Sequence, residues 1–154
     1  MDATDAKMLT ILQADGRISM VELAERLRLS PTATSERLKR LTRDGTIAGY
    51  SARLDPGRLG LGLLVFVELL LDKTTSDNFQ QFAAAVRRTP EILECHMVAG
   101  GFDYLVKARV ADMAAYRKLL GEVLVRLPGV RETRTYAVME EIKTSSALPV
   151  AGRS

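Results

Sequence analysis

The 154-residue chain has one cysteine, one histidine and no tryptophan, and these scarcities remove most chemistries before any motif is read. Cys95 alone permits no intrachain disulfide and no thiolate metal cluster, and His96 alone permits no multi-histidine site. No apolar run approaches the ~20 residues of a membrane-spanning helix, and the opening MDATDAKMLT carries acids where a signal segment is basic and then apolar. The expectation is a soluble, cytoplasmic protein. An excess of one charge is lacking too: 22 Lys and Arg against 19 Asp and Glu leave +3, too mild to mark a nucleic-acid binder unless the basic residues are concentrated. Apolar residues are plentiful at 47%, enough to build a core for one domain or two small ones.

Residues 1–45 read as helices. Met8, Ile11 and Leu12 share a face of a helix over about 4–15, which Asp15-Gly16 stops. Ser19-x-x-Glu22 has the form of a capping box, serine accepting from the third backbone N–H while glutamate reaches back to the first. Leu23, Ala24 and Leu27 then give a buried stripe over about 20–27. Ser30-Pro31 starts a third helix, since proline at the first helical position loses only an N–H that has no partner there. Thr34, Leu38 and Leu41 form its inner stripe, and Asp44-Gly45 ends it.

From Thr46 the pattern changes. TIAGYSARL (46–54) reads as a strand, either a wing along DNA or a strand pairing with a second copy, and Asp55-Pro56-Gly57 signals a hinge. Two similar units follow: strand 61–71, helix 76–88, Pro90 and a strand to Ala99; then a strand from Phe102, helix 112–127, Pro128 and a strand to Ile142. This is a duplicated β-α-β, the ferredoxin-like βαββαβ pattern. Phe79, Phe82 and Val86 share one helix face, and Met113, Tyr116, Leu120 and Leu124 share the other's. The first strand is apolar on both sides, with Leu63, Val65, Val67 and Leu69 on one and Leu64, Phe66 and Leu70 on the other. Two helices cover one face of a sheet, so the second face calls for another copy of the chain. The fold class is therefore α+β: a helix-turn-helix, winged-helix-like domain over 1–55, a hinge over 56–60, a ferredoxin-like domain over 61–142 and a tail over 143–154.

Only Arg28 and Leu29 separate the second helix from the Ser30 cap, the tight joint of a helix-turn-helix. Between Arg26 and Arg43 stand six basic residues and one acid, Glu36. At 100° per residue the face opposite Leu38 holds Thr32, Ala33, Glu36, Lys39, Arg40 and Arg43. Small and polar groups at its start can approach base edges, and basic groups further along can meet phosphates. With the capping Ser30 and the flanking Ser35, these are the candidate DNA-contacting residues.

Two strings carry a resemblance. VELAERLRLSPTATSERLKRLTRDGTIAGYSARLDP (21–56) and ECHMVAGGFDYLVKARVADMAAYRKLLGEVLVRLPGVRETRTYAVMEEIK (94–143) resemble the Lrp/AsnC transcription regulators, and the likeness runs from about Asp2 to Val150. It implies a DNA-binding dimer, often an octamer of four dimers, whose sheet domain senses leucine or another small amino acid. It places effector contacts on Gly100, Gly101, Phe102, Asp103 and Tyr104, and on Thr133 and Thr135 of a neighbouring dimer. Where the family commonly has Gly-Asp or Gly-Glu, this chain has Gly100-Gly101, so one acid is missing. Glycines let a ligand approach the backbone and Asp103 can hold an ammonium group. The other reading of the same residues is a tight turn with Asp103 capping it.

Cys95 and His96 cannot act as nucleophile and base, because neighbours on a strand point to opposite faces. Glu140-Glu141 splits the same way, and Gly57, Gly60 and Gly62 lead into a strand where a dinucleotide site needs a helix. No catalytic residue, metal ligand or cofactor is expected, and the chain reads as a non-enzymatic, nucleoid-associated regulator of amino-acid metabolism. Two rivals stay open: an architectural DNA-wrapping protein without an effector, and a small enzyme with an appended DNA-binding domain.

Overall fold

The computed structural model describes residues 1–72 and 75–151, and the chain divides into two compact units. One comprises Met1–Arg53 together with the segment from Lys143 onward, the other Leu54–Ile142.

In the helical unit α1 spans Ala3–Ala14, α2 Met20–Leu27 and α3 Pro31–Arg43. Each begins on a side-chain cap: Asp2 accepts from Asp5 N–H, Ser19 from Glu22 N–H and Ser30 from Ala33 N–H. The reciprocal box expected at Ser19 is half made, because the Glu22 carboxylate pairs with Arg26 at 2.6 Å. The full box stands at α1, where Asp5 answers the Asp2 N–H. Met8, Leu23, Leu27 and Leu41 close the core, with Ile11, Leu12 and Leu38 packed at its margin. Between α2 and α3, Arg28 takes the left-handed conformation (φ 57°, ψ 44°), which aims its N–H back at the Ala24 and Glu25 carbonyls and turns the chain in two residues.

Within one chain residues 46–54 form no strand. Ile47 N–H turns back to the Leu41 carbonyl at 2.9 Å, and the segment beyond it is exposed loop. A strand needs a neighbour for its backbone groups, and within this unit no described residue supplies one.

The second unit is a four-stranded antiparallel sheet in the order β2-β3-β1-β4, built from β1 Leu63–Leu71, β2 Ile92–Met97, β3 Tyr104–Val110 and β4 Val130–Ala137. Helices α4 Ser76–Arg87 and α5 Met113–Glu122 bury their apolar sides on it. Val67 lies between Val106 and Thr135 in register, and Val65, Val67, Leu69 and Val106 are wholly buried. Phe82 of α4 stacks on Tyr104 at 4.2 Å between ring centroids. The opposite face shows Phe66 and Leu70 half-buried.

Several expected boundaries move. The second helix stops at Glu122 and gives way to one 3-10 turn, Leu124–Arg126, after Val123 leaves helical geometry (φ −122°). Of the expected stripe Tyr116 and Leu124 are buried and Leu120 half-buried, Leu119 is buried as well, and Met113 is 55% exposed. The third strand starts at Tyr104 because Phe102 and Asp103 form the bend before it. The second strand stops at Met97, short of Ala99, where Val98 N–H turns to the Asp103 carbonyl. The last strand ends at Ala137, short of Ile142: Val138 still donates to Leu64, but β1 itself begins at Leu63 and offers no further partner.

Candidate DNA-contacting face and ligand site

On α3 the inner and outer faces separate cleanly. Thr34 is buried, its hydroxyl donating to the Ser30 carbonyl at 2.9 Å, and Leu41 is buried beside the α2 stripe. Ser30, Thr32, Glu36, Lys39 and Arg43 are exposed, and Ala33, Ser35 and Arg40 are half-exposed. Ala33, Glu36, Lys39, Arg40 and Arg43 share one open concavity, whose floor carries Asp2 and Asp5.

Arg40 is held by a buried acid, whereas Lys39 and Arg43 form no ion pair among the described residues. Its guanidinium reaches both oxygens of Asp5 at 2.8 Å, and Arg37, on the next turn, reaches Asp5 at 2.8 Å and Asp2 at 2.7 Å. Asp5 is 1% exposed. Burial raises its pKa, but hydrogen bonds from Arg40, the Asp2 N–H and Arg37 together outweigh this and hold it at about 2. Asp2, Asp5 and Arg37 were absent from the residues expected to matter. Acids in a first helical turn read as capping and dipole partners, which Asp2 and Asp5 also are, and nothing in linear spacing pairs residue 5 with residues 37 and 40.

The turn between β2 and β3 brings together part of the expected effector set. Gly100 and Gly101 are exposed, and a Cβ on either would meet nothing within 4 Å, so the turn itself does not require glycine at either position. Phe102, Gly101 and Thr133 line a cavity of about 220 Å³ with Glu68, Glu132 and Arg134. Asp103 is a bracket: its Oδ2 accepts from Leu71 N–H at 2.7 Å, and its N–H donates to the Leu69 carbonyl at 3.0 Å. Tyr104 is in the core against Phe82, and the Thr135 hydroxyl meets Tyr116 on the helix-covered side. Glu68, Glu132 and Arg134 went unnoticed in the sequence, where they are ordinary outward positions on strands. The register sets Glu68 opposite Arg134, and Tyr136 donates to Glu68 at 3.0 Å. Two carboxylates and a guanidinium in one small cavity match the two charges of a zwitterion.

Elsewhere, Cys95 packs toward the core, and burial pushes its thiol up to about 11, leaving it protonated. His96 is on the outer face, 3.3 Å from Glu94. Among the described residues no group of three His, Cys, Asp or Glu could hold a metal ion, and no helix is long and apolar enough to cross a membrane.

Residues 1–48 match the winged helix-turn-helix DNA-binding family model, and residues 64–148 match the Lrp/AsnC ligand-binding domain. The chain is 57% identical over 153 residues to the leucine-responsive regulatory protein of Salmonella typhimurium and 56% identical to that of Escherichia coli K12, covering 99% of this chain and 93% of each relative. A transcriptional regulator of Neisseria meningitidis, solved in complex with L-Met, superposes with a TM-score of 0.92 at 38% identity, covering 97% of this chain and 96% of that one. An AsnC family regulator of Agrobacterium tumefaciens gives 0.92 at 31%, covering 97% of both.

Proposed function

The chain belongs to the Lrp/AsnC family of DNA-binding transcription regulators, and from that premise we propose that it controls genes of amino-acid metabolism in response to a small apolar amino acid. DNA is read by α3. Ser30, Thr32, Ala33, Ser35 and Glu36 stand where base edges and the nearest phosphates lie, and Lys39 and Arg43 supply charge to the backbone. Arg40 serves chiefly to hold α3 through Asp5.

The observation that carries the effector reading is the cavity of Gly101, Phe102 and Thr133. Glu68 and Glu132 accept from the α-ammonium, Arg134 receives the α-carboxylate, and Phe102 with Leu70 meets the apolar side chain. This supplies acids on the strands in place of the one missing at Gly101. The L-Met bound by the Neisseria relative is a ligand of the same class.

Phe66 and Leu70, apolar positions on the helix-free face of β1, supply the contact through which copies pair, and dimers assemble further into octamers. Such a regulator works in the cytoplasm, on the nucleoid. A thermal-shift screen of the twenty amino acids tests the reading, since a ligand at 100 times its dissociation constant stabilises the folded state by about 2.7 kcal/mol. No shift with any of them, alongside intact DNA binding, favours the architectural alternative.

A further inference from the structure

Ser145 to Val150 is an uncharged stretch with neither helical nor strand periodicity, yet it is seated in the helical unit. Gln13, in the last turn of α1, spends both ends of its amide on one residue: Nε2 donates to the Leu148 carbonyl at 3.0 Å and Oε1 accepts from the Leu148 N–H at 2.6 Å. A side-chain amide paired in this way imitates one rung of a β-ladder, so it recognises extended backbone irrespective of the side chain there. The Leu148 residue is indeed 74% exposed. The apolar anchor is Val150, packed against the cluster of Met8, Leu9, Leu23, Leu27 and Leu41. Just upstream, Ser145 Oγ accepts from Ala147 N–H at 3.1 Å and turns the chain toward its seat.

The seat is shaped for this purpose. Leu9 and Leu12 of α1 and Ile47 and Tyr50 of the loop after α3 form one side of an apolar groove, residues 146–151 lie along it as the other side, and the space left open between them is about 750 Å³. We propose that this groove is a receptor for an extended, uncharged peptide, that its occupant is the chain's own residues 146–151, and that the docked tail completes the apolar core of the helical unit. The chain leaves the helical unit at Leu54 and returns at Lys143, so docking closes a second covalent connection to the sheet that follows from β4. A tethered occupant acts at an effective concentration of order mM, which excludes the same sequence free in solution.

The test uses the full chain and a fluorescent synthetic peptide of residues 143–154. Val150→Asp should release the tail, so the peptide should bind this variant about tenfold or more tightly than the wild type, whose own tail already holds the Gln13 amide and the apolar anchor point. Adding Gln13→Ala should abolish that binding, and equal anisotropy with all three proteins overturns the receptor. Occupancy is read separately: in a Cys95→Ala chain, Ala48→Cys on the loop and Leu148→Cys on the tail, which border the same open space, are joined with a short bifunctional maleimide. The expected product runs at single-chain mass on a denaturing gel. A product of twice that mass seats a second copy in the groove and overturns the assignment in cis. Should Val150→Asp not fold, the cross-link in the otherwise native chain decides.

Discussion

The Asp5 carboxylate lies 2.8 Å from the Arg40 guanidinium, so a buried acid at the start of α1 grips the outer face of α3, the helix proposed to read DNA. Arg37 completes the grip from the next turn. Helix packing alone leaves α3 free to roll about its axis by small angles. A charged, two-point hydrogen bond to a fixed carboxylate restricts that roll, and with it the direction in which Thr32 and Glu36 point.

Because Asp5 titrates at about 2 when folded and near 3.8 when unfolded, its contribution is fully present above pH 4 and is lost as pH falls from there toward 2. The shift corresponds to about 2 kcal/mol. Asp5→Asn should therefore lower stability at neutral pH by roughly that amount and flatten the acid limb of a circular-dichroism titration between pH 4 and 2. An unaltered acid limb would mean the carboxylate is not the group whose protonation loosens the helices.

Lys39 and Arg43 are exposed with no ion pair among the described residues, whereas Arg40 is paired with Asp5. Substituting the first two with alanine should weaken binding to every duplex and reduce the salt slope by about 0.9 for each phosphate that is no longer neutralised, with melting unchanged. Arg40→Ala should behave differently, lowering the melting temperature as well, because Asp5 loses its bidentate partner. The same salt slope in the Lys39/Arg43 variant as in the wild type would remove these residues from the interface.

The caps, the Ser30-Pro31 start, the duplicated β-α-β and the two-faced first strand could be read from the sequence because each is a local pattern of period or capping. The exposed face of α3 was legible for the same reason. What escaped depends on contacts distant in sequence: Asp5 with Arg37 and Arg40, Glu68 with Arg134, Gln13 with Leu148. The stretch 46–54, which forms no strand within one chain, shows the complementary limit. Its β-branched and aromatic residues permit a strand, but pairing requires a partner that linear pattern does not supply.

Gly129 combines a left-handed backbone with a neighbour where a Cβ would go. Its φ is +78°, and a Cβ there would collide with the Asn78 side-chain amide, while its carbonyl accepts from Asp72 N–H at 2.8 Å. Gly129→Ala should cost about 1–3 kcal/mol, combining left-handed strain with displacement of Asn78 from the start of α4. Thermal melting and ligand calorimetry should both register it, since β4 starts at the next residue and carries Thr133 and Arg134. A variant as stable as the wild type would show that α4 gives way freely.

The sharpest prediction separates Asp103 from Glu68 and Arg134. The charge of Asp103 offers a seat for the effector's ammonium, but that carboxylate already accepts from Leu71 N–H, and its own N–H pairs with Leu69. Asparagine retains a carbonyl oxygen for Leu71 and loses only the charge, so Asp103→Asn should cost about 1 kcal/mol of stability and leave effector affinity within about twofold. Arg134→Gln removes the guanidinium that faces the cavity, and Glu68→Gln removes a carboxylate beside it. Each should weaken binding by about 1.5–3 kcal/mol, the range for hydrogen bonds to charged groups, while folding and basal DNA binding persist. Isothermal calorimetry with L-leucine and L-methionine on the three variants makes the comparison, with fluorescence anisotropy of labelled DNA as the control for the helical unit. If Asp103→Asn alone loses the ligand, the ammonium sits at the bend between β2 and β3 and the cavity on β4 is not its seat.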